Sequence, residues 1–328
     1  MGFQADVIVW DFEKGTIRHT LDPLHKVKVE ALAFSPNDLY LVSLGGQDDR
    51  AIVVWDVKTG SAICGSTAGA PSAGTTYAVA YASLSDEMFC HCNTLRVWEL
   101  DVENRKIRPH EVSMGQLKRT VKCIQMSNDD THFYCGTTTG DILEINVKNK
   151  LMTDYGPKDS ERLSLGVNAI RILMTGDVLV GAGDGTVAII KIAKGKYKKT
   201  QSVKVDGGIT SIALRGQGHQ FFVGTKNSQM YLFSYSTFEQ YVRIKTCHYS
   251  PINDVIFPHG SSELFLTCAK SEIRIWSTKT NQEVVRIAVA NMTCNAIDIM
   301  RCGTRIISGW DDGKIRAFTP ETAACCMK

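Results

Sequence analysis

Three groups of residues in this chain have types and spacings that could do chemistry. His25, Ser43 and Asp49 are the residue types of a nucleophilic triad, in which a histidine between a hydroxyl and a carboxylate activates the hydroxyl. The tripeptide Cys90–Cys92, Cys-His-Cys, carries the thiolate and imidazole ligands that zinc prefers. The stretch Gly181–Gly185, GAGDG, resembles part of a dinucleotide-binding loop. What each group does depends on the secondary structure that holds it.

The elements around these residues are short strands that recur. Val29–Asp56 predicts an alternating strand Val29–Phe34, a turn, a second strand Leu39–Ser43 and a third strand Ala51–Trp55. A period of about 40–45 residues, with three or four strands per unit, predicts an all-β fold of the WD40 β-propeller type. The apolar residues that end successive third strands lie 42 to 47 residues apart: Trp10, Trp55, Trp98, Ile145, Ile190, Phe233, Trp276 and Phe318.

These anchors define seven full repeat units and a partial unit at the start, where Asp6–Trp10 is predicted to be a third strand. We expect one WD40 repeat region over residues 1–328. In the alternative, the units belong to two tandem propellers, with a boundary within 238–250. The small-residue stretch Ser61–Thr76 and the polar stretch Lys148–Ser164 predict surface loops.

The repeat gives the triad residue types structural positions. His25 precedes the first strand of its unit, Ser43 ends the second and Asp49 lies in the following hairpin. Together with Trp55 they predict a buried relay of hydrogen bonds, since buried polar groups must be paired. Catalysis would also need solvent access and an oxyanion site. We therefore expect no catalytic residue and no enzymatic activity.

The seventh unit repeats this relay in part. His248, Thr267 and Trp276 occupy the positions of the histidine, the hydroxyl and the indole. Lys270 stands where the hairpin aspartate is expected, which predicts an incomplete relay.

The other two groups also fit a structural interpretation. Adjacent strand residues point to opposite faces, so His91 cannot share a metal site with both Cys90 and Cys92. Core packing explains the three residues without zinc. Gly181–Gly185 lies between two strands rather than between a strand and a helix, which favours a hairpin turn. We predict no metal, no cofactor and no small-molecule substrate.

Charge is concentrated in one segment. The net charge of +3 argues for neither nucleic acid nor an anionic membrane, and no apolar run is long enough for a transmembrane helix. Tyr197 is the only aromatic residue in the basic segment, so nucleic acid is not expected there. The segment either docks an acidic partner or is a solvated loop with a charged edge strand. Its lysines are Lys191, Lys194, Lys196, Lys198 and Lys199.

Several longer words in the chain are specific to one family. They are EALAFSPNDLYLVSLGG (Glu30–Gly46), GQLKR (Gly115–Arg119), GTTTGDIL (Gly136–Leu143), SLGVNAIR (Ser164–Arg171), GGITSIALRGQGHQFFVGT (Gly207–Thr225), ELFLTCAK (Glu263–Lys270) and DGKIRAFTPET (Asp312–Thr322). They resemble the cilia- and flagella-associated protein 52 family, WD-repeat proteins of motile cilia. Family members are longer and form two propellers in tandem, so the resemblance implies a fragment covering the first half to two-thirds.

The resemblance implies a structural, non-enzymatic protein of the cytoskeleton. Its expected place is the axoneme of cilia and flagella, inside doublet microtubules, with tubulin and other axonemal proteins as partners. The resemblance assigns no individual functional residue. A WD40 adaptor or substrate receptor in a cytosolic complex is the alternative. A propeller hydrolase would need exposed carboxylates or histidines around the channel, and the eight histidines are scattered.

Overall fold

The structure is a computed structural model that describes residues 5–11, 13–69, 76–91, 95–193, 195–215, 219–239, 241–246, 248–258, 262–280, 282–300, 303–323 and 325–327. Regular structure in these residues consists of β-strands and one 3-10 helix, Asp159–Glu161. The all-β class predicted from the alternation of apolar and polar residues is confirmed. No helix in this part of the chain is long and apolar enough to span a membrane.

The first sheet has two strands and the second has four. In the first, β1 (Ile8–Asp11) pairs antiparallel with β2 (Thr16–Thr20). In the second, each strand pairs with the next along the chain. The prediction of a loop over 61–76 is wrong for β6, because an outer strand pairs along one edge only and needs little apolar alternation. The four strands are β3 (Val29–Phe34), β4 (Tyr40–Gly45), β5 (Ala51–Asp56) and β6 (Ala62–Thr67).

Three more four-stranded antiparallel sheets follow with the same meander order. The third sheet contains β7 (Val79–Tyr81), β8 (Met88–His91), β9 (Arg96–Asp101) and β10 (Lys106–Glu111). The fourth contains β11 (Val121–Met126), β12 (His132–Thr137), β13 (Ile142–Asn146) and β14 (Leu151–Gly156). The fifth contains β15 (Val167–Ile172), β16 (Val178–Ala182), β17 (Thr186–Ala193) and β18 (Lys196–Lys204). The prediction of a loop over 148–164 is wrong for β14, which is again an outer strand.

The last two sheets complete the series. One contains β19 (Ile209–Arg215), β20 (Gln220–Thr225), β21 (Gln229–Ser234) and β22 (Val242–Thr246). The other contains β23 (Asp254–Ile256), β24 (Leu264–Ser277), β25 (Gln282–Ile299), β26 (Ile306–Trp310), β27 (Ile315–Phe318) and β28 (Cys325–Met327). β24 turns back at Ser271, where φ is 66°, and its two halves meet where Phe265 stacks on Trp276 with ring centroids 6.1 Å apart. It therefore supplies two strands of the predicted seventh unit.

The core lies between neighbouring sheets. One cluster of buried side chains joins Val42 and Val54 of the second sheet to Phe89 and Trp98 of the third. The following clusters join the third sheet to the fourth and the fourth to the fifth. Sheets that stack face to face in chain order are the blades of a propeller. Most repeat anchors are buried within them. The relative exposure is 3% for Phe318 and 0% for Trp55, Trp98, Ile145, Ile190 and Phe233. The exception is Trp10, which is 59% exposed.

Side chains in the turns hold successive blades together. The carboxylate of Asp130 accepts hydrogen bonds from the backbone N–H of Ser83 at 2.5 Å and of Leu84 at 2.8 Å. Asp86, one repeat earlier, accepts from the backbone N–H of Asn37 at 2.9 Å. Backbone donors outside the strand ladders are thus satisfied by the next blade.

Contacts divide the chain into two compact units. The first contains Met1–Val223 and Ser234–Gln240, and the second contains Gly224–Phe233 and Tyr241–Lys328. The chain changes unit after residues 223, 233 and 240, and only the last of these changes lies within the range 238–250 predicted for a boundary between two propellers. The assignment of the two units to two propellers stays a prediction.

Candidate functional site

The four residues of the first predicted relay lie together in the second sheet. His25 precedes β3, Ser43 lies on β4, Asp49 lies in the β4–β5 hairpin and Trp55 lies on β5. Nε2 of His25 is 2.7 Å from Oγ of Ser43, and Nδ1 contacts Oδ2 of Asp49. The indole N–H of Trp55 donates to the same Ser43 oxygen at 2.7 Å.

The indole fixes one hydrogen bond of this relay. Because an indole nitrogen only donates, Ser43 accepts from Trp55. The roles of the two His25 ring nitrogens depend on the tautomer: with the hydrogen on Nδ1, that nitrogen donates to Asp49 and Nε2 accepts the hydroxyl hydrogen of Ser43. A nucleophilic triad has the same polarity, but Ser43 has 0% and His25 1% relative exposure. The hydroxyl is closed to substrate, and the set stabilises the blade.

The seventh sequence repeat contains the same kind of relay. Nε2 of His248 is 2.6 Å from Oγ1 of Thr267, and the indole of Trp276 donates to that oxygen at 2.7 Å. Nδ1 of His248 is 2.8 Å from Oε1 of Glu272. The prediction of an incomplete relay is therefore wrong. Alignment on the hairpin pointed to Lys270, whereas the turn in β24 brings Glu272 to the histidine.

Glu272 also anchors a buried network of charges. Arg274, with 0% exposure, donates to both oxygens of Glu272 at 2.7 and 2.9 Å and to Glu283 at 2.9 Å. Burial alone would raise the pKa of Glu272, but the hydrogen bonds from His248 and Arg274 lower it overall. Glu272 therefore carries its negative charge in the folded protein.

The fourth sheet holds a further relay that the sequence analysis missed. Asp141 is fully buried and accepts hydrogen bonds from Thr137, from Thr139 at 2.8 Å and from Nε of Arg119 at 2.9 Å. Thr137 pairs with Val121 as Gly45 pairs with Val29 in the second sheet. The hairpin carboxylate is thus bound by hydroxyls and a guanidinium instead of by histidine. These residue types are outside the expected set, and Asp141 lies four residues before the anchor Ile145 whereas Asp49 lies six before Trp55, so neither type nor spacing identified it.

The Cys-His-Cys group is divided between the two faces of β8. His91 is buried and accepts from the indole of Trp98 at 2.8 Å, while Sγ of Cys90 contacts Sδ of Met126 at 3.5 Å. Cys92 lies outside the described residues. Burial, together with the charge of Arg96, lowers the pKa of His91 to about 4. His91 is therefore neutral at pH 7, and no group of potential metal ligands is found in the described part of the chain.

The lysine-rich segment forms the β17–β18 hairpin. Lys191 lies on β17, and Lys196, Lys198 and Lys199 lie on β18, which is the outer strand of the fifth sheet. All four side chains are exposed. Lys194 lies outside the described residues. The structure therefore presents Lys196, Lys198 and Lys199 along the outer strand β18, with Lys191 beside them on β17.

The comparisons with known proteins agree with this fold. The model of the family described as "WD domain, G-beta repeat" matches residues 15–56. The chain is 53% identical to cilia- and flagella-associated protein 52 of Bos taurus over 98% of its length. It is 42% identical to the protein of that name from Chlamydomonas reinhardtii, again over 98% of its length. The chain belongs to the cilia- and flagella-associated protein 52 family.

Its coverage of the family is partial. The chain spans about half the length of the curated relatives it matches, 51% of the Bos taurus protein and 52% of the Chlamydomonas reinhardtii protein. Among solved structures, the β-propeller domain of Cps50 (Swd1) from Myceliophteria thermophila is similar, with a TM-score of 0.63 and 16% identity. That match covers 84% of this chain and 91% of the other, and it shows the propeller fold alone.

Proposed function

We propose that this member of the cilia- and flagella-associated protein 52 family is a scaffold of cilia and flagella. It binds tubulin and neighbouring axonemal proteins inside doublet microtubules. The observation that carries the proposal is the identity of 42% and 53% to two family members over 98% of the chain. The names of those two proteins associate them with cilia and flagella.

The geometry supports a role in binding proteins. The polar sets that resemble catalytic centres lie between the strands of single blades, where each member is hydrogen-bonded and is buried or partly buried. Such relays hold the blades rigid. Rigid blades present their outer strands and connecting loops as a wide surface for protein partners. The charged edge at β18 is one such surface.

Direct binding to the inner wall of a microtubule is tested by the order of addition. The purified chain is mixed with tubulin before polymerisation in one sample and added to finished microtubules in another, with an unrelated propeller protein as background. A luminal binder is enclosed during assembly, so we expect co-sedimentation mainly in the first sample. Co-sedimentation in neither sample would contradict direct binding of tubulin, and equal co-sedimentation in both would place the contact on the outer wall.

A further inference from the structure

We propose that the edge of β18 is a docking site for an extended acidic segment of a partner protein. The proposal rests on the scaffold function above and adds the place and the chemistry of one contact. β18 spans nine residues and is the last strand of the fifth sheet, so within the described residues one of its edges has no neighbouring strand. An extended segment can add to such an edge through main-chain hydrogen bonds.

The hairpin places like charges against each other. In the register of β17 with β18, Lys191 lies directly opposite Lys198. Like charges in directly opposed positions destabilise a sheet. Lys196 and Lys199 add two further exposed charges on the same strand. Carboxylates of a partner would relieve this repulsion, so charge complementarity favours an acidic occupant.

The chain itself leaves most of this charge unneutralised. Among the described residues, none of these four lysines is in an ion pair, whereas Lys204 at the other end of β18 pairs with Asp184 at 3.3 Å. The unpaired lysines of β18, Lys196, Lys198 and Lys199, therefore lie at its hairpin end, and Lys191 lies beside them on β17.

A cleft extends the charged edge. It has a volume of about 540 Å³ and lies between the hairpin end of β18 and the loop that follows β14. Lys196, Lys198 and Lys158 line it, and Asp159 and Glu161 lie on the loop side. The carboxylates of the loop would repel an acidic segment, which directs that segment toward β18.

A protein segment fits this edge better than nucleic acid. Single-stranded nucleic acids bind by stacking bases on exposed aromatic rings. Tyr197 is only 7% exposed, and the ring of Tyr155 is covered by Nζ of Lys158 at 4.7 Å. The surface offers positive charge and strand edge but no free ring for stacking.

The test uses a fluorescent ten-residue peptide of alternating glutamate and valine as the probe. Its affinity is measured by anisotropy for the full chain, for K196E/K198E/K199E and for K58E/K106E/K118E. The second variant reverses three exposed lysines outside the patch, so both variants have the same net charge. We expect the patch variant to lose about tenfold or more in affinity and the control to stay within about twofold of wild type.

Three results would overturn the proposal. They are equal loss in the two variants, no binding of the peptide by the wild-type chain, or tighter binding of a single-stranded RNA of equal charge. Amide hydrogen exchange gives a second measurement, in which bound peptide should protect the amides of β18 but not those of the outer strand β10. The co-assembly experiment with tubulin does not use the peptide. Its outcome therefore separates failure of the scaffold function from failure of this site.

Discussion

Nδ1 of His248 lies 2.8 Å from a carboxylate oxygen of Glu272, 24 residues further along the chain. His25 and Asp49 are also 24 residues apart and make the equivalent contact. The separation is kept although the hairpin between the strands differs in length and the acid is one methylene longer. The carboxylate, rather than the hairpin position, defines the relay.

Replacing Glu272 by glutamine tests this relay. The change removes a charge that Arg274 and His248 share in a buried site, where breaking one partner of an ion pair costs about 3–5 kcal/mol. We expect a loss of about 3 kcal/mol for Glu272→Gln and less than about 0.5 kcal/mol for Lys270→Ala, since Lys270 is exposed. Urea unfolding measures both. A larger loss of stability for Lys270→Ala than for Glu272→Gln would mean that Lys270, and not Glu272, occupies the position of the relay carboxylate.

The anchor Trp55 contributes packing and a hydrogen bond that can be separated. Trp55→Ala should cost about 3–5 kcal/mol, because it empties a fully buried site. Trp55→Phe keeps most of the ring but leaves Ser43 without its donor, which should cost about 1–2 kcal/mol. Trp10→Ala is the control, since Trp10 is 59% exposed. Thermal unfolding that ranks the Trp10 change with Trp55→Ala would refute the assignment of blade faces.

Asp141 predicts a dependence of stability on pH. Burial would raise the pKa of its carboxyl, but hydrogen bonds from Thr137 and Thr139 and the Arg119 guanidinium hold it below its ordinary value of 3.8. Stability from a lowered pKa is fully present above the unfolded-state value and is lost as the pH falls through the folded-state value.

Two asparagine variants measure this contribution. We expect Asp141→Asn to lose about 1–3 kcal/mol at pH 7 and to show a flatter decline in stability below about pH 4 than wild type. Asp22→Asn, at an exposed position, should follow the wild-type curve. Urea unfolding from pH 7 to pH 3 provides the comparison. Parallel curves of unfolding free energy against pH for wild type and Asp141→Asn would mean that protonation of Asp141 is not coupled to unfolding.

Gly140 and Gly176 form a matched pair with the same backbone conformation. Their φ values are +87° and +82°, but a Cβ on Gly140 would lie 2.0 Å from the carbonyl oxygen of Leu163, whereas a Cβ on Gly176 meets nothing within 4 Å. Alanine at Gly176 should cost about 1 kcal/mol through conformation alone. Alanine at Gly140 should cost about 1–3 kcal/mol more, because Leu163 must move. Equal melting temperatures for the two variants would contradict the close approach.

The inner strands were predictable because their physics is visible in the sequence. β3 has the bounds predicted for it, Val29–Phe34, because its run of apolar residues ends at the turn residues Ser35–Asp38. The outer strands β6 and β14 were not predictable in this way. An outer strand pairs with a neighbour along one edge only and can carry small or polar residues, such as Ser66 in β6 and Asp154 in β14.

The sites were predictable only where residue type and position coincide. His25 and Ser43 carried the expected types at the expected places. Glu272 did not, because a glutamate in a shortened hairpin replaces an aspartate. The five lysines of 191–199 were evident from composition. The opposition of Lys191 and Lys198 depends on the register of the hairpin, which composition cannot supply.

The central claim is that the chain is a structural component of ciliary doublets. A tagged copy is expressed in motile ciliated cells, and the axonemes are stripped of membrane with detergent and washed with high salt. The account predicts that the chain stays with the washed doublets, because luminal contacts are shielded from salt and solvent. Release of a folded copy into the soluble fraction would contradict the account and favour an adaptor in a cytosolic complex.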